Sequence, residues 1–148
     1  MPGDTVLDGL YDPSEKGHIP DLDLVLVHGL GGNVINTWVH QPSGVVWPRD
    51  LLPTRRPLTR VLAYGYDGDV HENGFVARIR DHARTLVARL VDERDGVDPA
   101  RPIVFVAHCL GGLIVKRVSD LCLVSSVIGE NSADTGDVGL VCCQQRDG

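Results

Sequence analysis

Ile103-Val104-Phe105-Val106-Ala107-His108-Cys109-Leu110-Gly111-Gly112-Leu113-Ile114-Val115-Lys116 is the stretch on which the fold of this 148-residue chain turns. Its first five residues form a continuous apolar run introduced by Pro99 and Pro102, which reads as a buried strand. The run ends in a tight turn flanked by the small residues Ala107 and Gly111, and apolar residues resume at once as the start of a helix. Strand, turn and helix in that order make a nucleophile elbow, whose commonest form is Gly-x-Ser-x-Gly. Such a turn holds its central residue, here Cys109, in a strained backbone conformation. It also sets that residue at a helix N-terminus, where free N–H groups and the helix dipole stabilise an anion, for cysteine the thiolate.

Two similar runs lie upstream. Leu22–Val27 (LDLVLV) leads into His28-Gly29-Leu30-Gly31-Gly32-Asn33, and Arg60–Tyr64 (RVLAY) into Gly65-Tyr66-Asp67-Gly68. Continuous rather than alternating apolar runs are what parallel strands covered on both faces require. Between the second and third runs, Phe75, Val76, Ile79, Ala83, Leu86, Val87, Leu90 and Val91 recur every three or four residues, with Arg78, Asp81, Arg84, Arg89 and Asp92 on the other face. This spacing predicts an amphipathic crossover helix over 75–94. Val46–Leu52 is expected to add a short helix ended at Pro53, and Thr5–Tyr11 a lone edge strand. The class is α/β with a mostly parallel sheet and crossover helices.

In such a sheet, ligands bind where the strands end. Acyl transfer needs two backbone donors for an oxyanion, one from the residue after the nucleophile and one from a loop after an earlier strand. Leu110 N–H and Leu30 N–H fit those roles, with glycine at 29, 31 and 32 letting the backbone approach closely. A phosphate-cradling reading fails, because Val34 stands where the dinucleotide fingerprint needs glycine and no Gly-Lys-Ser/Thr follows. Tyr66-Asp67 reads as turn chemistry.

The chain is 43% hydrophobic and 23% charged, with a formal net charge of −6, which suits a globular domain and excludes an electrostatic nucleic-acid binder. No apolar stretch is long enough for a transmembrane segment, and no secretory or transit peptide is legible at the N-terminus, so an intracellular setting is expected. Cys109, Cys122, Cys142 and Cys143 form no zinc-ligand spacing, so neither metal nor cofactor is expected, and the vicinal pair 142–143 reads as incidental.

Every proline, aromatic residue and histidine lies at or before His108. From Val118 onward the chain carries five acids and one base and three of its four cysteines. Two compositions are joined here: residues 1–117, and an atypical tail over 118–148 that is expected to be non-native or disordered, with Leu121–Ile128 as at most a strand. Val118-Ser119 is also what translation through a common splice-donor sequence would read.

Residues about 5–117, with LVLVHGLGGN, the Thr37-Trp38 pair, Trp47–Pro53, Arg60–Asp67 and FVAHCLGGLIVK, resemble the amino-terminal half of an α/β-hydrolase. More narrowly they resemble the lipase-like serine esterase family that includes serine active site-containing protein 1. The resemblance implies a carboxylic ester or lipid substrate and, for some relatives, a membrane-linked role at mitochondria or the endoplasmic reticulum. It also implies a triad ordered nucleophile, acid, histidine. Here the nucleophile position is Cys109 rather than serine, and no histidine follows it. The expectation is therefore a partial α/β-hydrolase, truncated after the elbow and inactive alone. The alternative is a non-catalytic interaction or signalling module that keeps the turn as a binding pocket.

Of the histidines, His28 is expected to order the oxyanion loop, and His108 to pack or hydrogen-bond rather than act as a base. His71 offers a makeshift dyad with Cys109, His82 lies between the faces of the long helix, and His18 and His40 are solvated. Gly112 completes the elbow. In a half-sheet the nucleophile strand is expected at or near an exposed edge, which invites association with another chain.

Overall fold

The computed structural model describes residues 5–68, 74–128 and 138–143. In chain order the elements are β1 (Val6–Tyr11), β2 (Leu22–Val27), β3 (Val39–His40), β4 (Val45–Val46), α1 (Trp47–Asp50), α2 (Leu52–Arg55), β5 (Thr59–Gly65), α3 (Phe75–Glu93), β6 (Ile103–His108), α4 (Leu110–Ile128) and β7 (Val138–Cys143). Five strands form one sheet in the order β1-β5-β2-β6-β7. β1 pairs antiparallel with β5, and the other neighbours are parallel. β3 and β4 form a separate small hairpin. This is the mostly parallel sheet with helices of a partial α/β-hydrolase fold.

The continuous apolar runs are explained by burial on both faces. Val25, Val27, Leu62, Tyr64, Phe105 and Ala107 face a core closed by Ala83, Leu86 and Leu90 of α3 and by Ile114, Val115 and Val118 of α4. The alternate residues Leu24, Leu26, Val61, Ala63 and Val106 face a second core, closed by Trp38, Val46 and neighbours from residues 34–52. Each strand therefore pays out apolar side chains in both directions, as a parallel sheet between two layers demands.

Several expectations change. Val76 and Val91, assigned to the apolar stripe of α3, are exposed; the buried stripe is the narrower Ala83, Leu86, Leu90. The helix expected over Val46–Leu52 is shorter, Trp47–Asp50, and Pro53 is not what ends it. A second short helix, α2, begins at Leu52 and takes Pro53 in its first turn, where a missing N–H costs nothing. Leu121–Ile128, expected as a strand, continues α4, because each residue added to an established helix gains a hydrogen bond without a new nucleation cost. The nucleophile strand β6, expected at or near an exposed edge, lies one strand in from it, since β7 pairs along it from Ile103 to His108.

The register sets the level at which the strands end. Val27 lies opposite Tyr64 on one side and Ala107 on the other. The turns that leave β2, β5 and β6 therefore emerge side by side at one end of the sheet.

Candidate active site

Cys109 sits between the last residue of β6 and the first of α4 with φ at 53°, and among the described residues it is the non-glycine residue with positive φ. A left-handed backbone costs a residue bearing a Cβ roughly 1–2 kcal/mol, which is the strain an elbow imposes. Its side chain is exposed, and Gly112 N–H donates to Cys109 O at 3.0 Å as α4 begins.

Two glycines let the neighbouring turns close on this residue. A Cβ at Gly29 would lie 2.7 Å from Cys109 Cβ and 2.8 Å from His108 O. A Cβ at Gly111 would lie 2.6 Å from His28 O and would also strike Val27 O. So the turn after β2 rests on the elbow, and the first turn of α4 rests on the end of β2. Any larger residue at either position would force main chain apart. The turn itself is closed by Gly32 N–H donating to Gly29 O at 3.0 Å, with Gly31 at φ 61°. The turn after β5 closes on it as well: Gly68 stands where a Cβ would be 3.1 Å from Gly29 O and 3.2 Å from Gly31 N.

The expected residues thus converge: Cys109, the turn carrying Leu30, and Leu110 at the first position of α4. Leu30 is 55% exposed and Leu113, one helical turn beyond Cys109, is 48% exposed. His108 packs against the same turn, its Nδ1 being 3.0 Å from where a Cβ on Gly29 would stand. His71 lies outside the described residues. Among the described residues no group of three or more His, Cys, Asp or Glu converges to hold a metal.

His28 is 1% exposed. Its Nδ1 bonds its neighbour's carbonyl, Gly29 O, at 2.9 Å, and its Nε2 accepts from Tyr66 N–H at 3.2 Å. Those partners fix a neutral ring protonated on Nδ1. Burial holds its pKa below the ordinary histidine value, against the two backbone bonds that raise it. With both ring nitrogens engaged, His28 orders the turn and is no base for Cys109.

Sequence reasoning missed the role of Tyr66, while His82 lies half-buried between the faces of α3, as expected. Tyr66 is buried and stacks on His28 with ring centroids 4.2 Å apart and planes within 4°. Its hydroxyl donates to His28 O at 2.7 Å. Burial, then the proximity of Cys109 and Tyr64, pushes its phenol far above the ordinary tyrosine range. His82 packs against this group as well, 4.7 Å from the Tyr66 ring, and Tyr64 Oη donates to His82 O at 3.1 Å. Burial lowers the His82 pKa, with Asp67 opposing, and burial raises the Tyr64 phenol to about 12. The available sign was an aromatic residue inside a glycine-flanked turn at a strand end.

At the opposite end of the sheet, Asp23 is fully buried among three arginines. Arg60 binds it in a fork at 2.8 and 3.1 Å, Arg101 reaches it at 3.2 Å, and Arg94 also pairs with it. This cluster was legible only as a lone acid within LDLVLV.

No protein-family model matches the chain. Among curated proteins, Protein SERAC1 of Danio rerio is 27% identical over 133 residues, covering 75% of this chain and 20% of that protein. Protein SERAC1 of Homo sapiens is 25% identical over 138 residues, with the same two coverages. The chain therefore spans about one fifth of the length of the curated relatives it matches. Among solved structures, a thermostable esterase aligns over 96% of this chain and 55% of its own, with a TM-score of 0.35 and 17% identity. The chain is SERAC1-like in sequence and, by its own strand order and elbow, a partial α/β-hydrolase in fold.

Proposed function

We propose that this chain carries the acylating half of a carboxylic-ester hydrolase site, with Cys109 as the nucleophile and the N–H groups of Leu30 and Leu110 as oxyanion donors. The observation that carries the reading is the positive φ of Cys109 at the β6–α4 junction with the Gly29 turn packed directly on it. The Cys109 thiolate attacks the ester carbonyl carbon, forming a C–S bond while the carbonyl π pair moves onto oxygen. Collapse of that oxyanion expels the alcohol oxygen, which takes a proton from water, and leaves a thioester on Cys109. The exposed apolar side chains of Leu30 and Leu113 suit the acyl chain of an ester or lipid.

Hydrolysis of the thioester needs a base. None of residues 110–148 is a histidine, and both ring nitrogens of His28 are occupied, so the reading assigns residues 1–148 tested by themselves acylation without turnover. With p-nitrophenyl acetate it is expected to release one equivalent of p-nitrophenolate and then stop, with the acetyl group mapped to Cys109. Cys109→Ala abolishes the burst. No acetylation of Cys109 would sink this reading and favour a non-catalytic binding module, whose partner binding would survive Cys109→Ala.

We also propose, from the family resemblance of the sequence alone, placement at a mitochondrial or endoplasmic reticulum membrane; no helix among the described residues is long and apolar enough to cross one. Flotation with liposomes is the check, and a chain that stays wholly at the bottom of the gradient counts against it. Association through a sheet edge would use β7, which is outermost beside β6. A concentration-independent monomer in sedimentation would exclude that.

A further inference from the structure

We propose that Tyr66 is a positioning residue for ester acylation, holding the oxyanion turn of residues 28–30 against the elbow through its hydroxyl; this rests on the ester-acylation reading above. β2 pairs with β5 and β6 as far as Val27, so the carbonyl of His28 lies just past the ladder that would otherwise supply its partner. A buried main-chain carbonyl needs one, and Tyr66 Oη donates to it at 2.7 Å.

The same residue grips His28 twice more, through its backbone N–H on Nε2 at 3.2 Å and through the parallel ring stack at 4.2 Å. Tyr66 also packs against Tyr64 and His82, whose rings lie 5.7 and 4.7 Å away. On its other side the His28 carbonyl meets the first turn of α4 at Gly111. His28 O is thus pinned between a rigid phenol and the helix that carries Leu110. Leu30 follows two residues later, so the separation of the two oxyanion donors depends on where that carbonyl is held. Phenylalanine at 66 would keep the ring stack and the backbone N–H bond and lose only this contact. The hydroxyl therefore acts on the position of the turn rather than on the core.

Tyr66→Phe separates this role from a merely structural one. Acetylation of Cys109 by p-nitrophenyl acetate passes through an oxyanion, whereas alkylation of the same thiol by iodoacetamide is a direct displacement that does not. Both rates are followed at the Cys109 peptide by mass spectrometry on the full chain. Tyr66→Phe is expected to slow acetylation by about tenfold, the order of one misplaced hydrogen bond, and to change alkylation by less than about twofold. A parallel fall in both rates, or no fall in either, overturns the proposal.

To separate this effect from a loss of folded protein, the ratio of rates for the acetate and its thionoester is measured as well, on folded protein recovered by gel filtration. Taken on the folded fraction alone, that ratio does not depend on how much protein is folded. It is expected to shrink in Tyr66→Phe, since sulfur accepts hydrogen bonds poorly, and an unchanged ratio overturns the proposal. Wild-type protein that is alkylated but never acetylated refutes the ester reading itself, a result distinct from either of these.

Discussion

The two ends of the parallel sheet bury polar groups in opposite ways. At the strand starts, a fully buried carboxylate, Asp23, collects Arg60, Arg94 and Arg101, and the cost of burying charge is offset by pairing it. At the strand ends, the buried His28 is neutral and is satisfied by a main-chain carbonyl, a main-chain N–H and the stacked Tyr66. Charge pairing locks the starts of β2, β5 and β6 together, while the neutral arrangement holds the turn beside Cys109 through main-chain bonds and a ring stack. One end coheres through charge, and the other carries the turn on which the proposed acylation depends.

The largest effect expected from breaking this contrast is at Asp23. Asp23→Ala leaves three guanidiniums buried without their anion and is expected to cost about 3–5 kcal/mol of stability in urea unfolding. A loss under 1 kcal/mol would mean that the cluster is solvated rather than structural. Next comes Gly111→Ala, whose methyl would stand 2.6 Å from His28 O; crowding of main chain predicts a loss of about 1–3 kcal/mol. Gly9→Ala, with nothing within 4 Å, serves as the control and is expected to change little. Equal effects for the two would remove the close approach as the reason for glycine at 111.

A smaller change, of opposite sign, is expected at the elbow. Cys109→Gly relieves the positive φ and is expected to stabilise the fold by roughly 0.5–1 kcal/mol while abolishing acetylation. A destabilised variant would show that the backbone there is not strained.

The smallest effect is a pH dependence. The folded-state pKa of His28 is depressed by burial, so the unfolded chain binds the proton first as pH falls. Stability from this residue is whole above the ordinary histidine value of about 6.5 and declines below it toward the folded-state value. Since His82 is shifted the same way, His28→Gln is expected to reduce the loss of stability between pH 7.5 and pH 5 without abolishing it. An identical profile in the variant would show that His28 is not the buried titrating group.

What could be read from the residues follows from the range over which each feature acts. The three parallel strands and the crossover helix were legible because their apolar runs and their three-to-four spacing are local patterns. So was the elbow, since Ala107, Cys109, Gly111 and Gly112 crowd into one turn. The chain past Leu121 was misread because its β-branched residues favour a strand in isolation, whereas α4 was already formed ahead of them. Val76 and Val91 were misassigned because both fit the period of α3 yet fall beyond the reach of the core.

By itself, then, the sequence determined a parallel α/β sheet, a cysteine at a strained strand-to-helix turn and a glycine-rich turn available to face it, all features set by neighbouring residues. Only the tertiary structure decided that Tyr66 grips His28, 38 residues away, and that Asp23 meets Arg60 and Arg94, 37 and 71 residues away. Those pairings follow from strand register: it brings the starts and the ends of β2, β5 and β6 to common levels, and no local pattern of residues encodes which distant side chains then share one buried space.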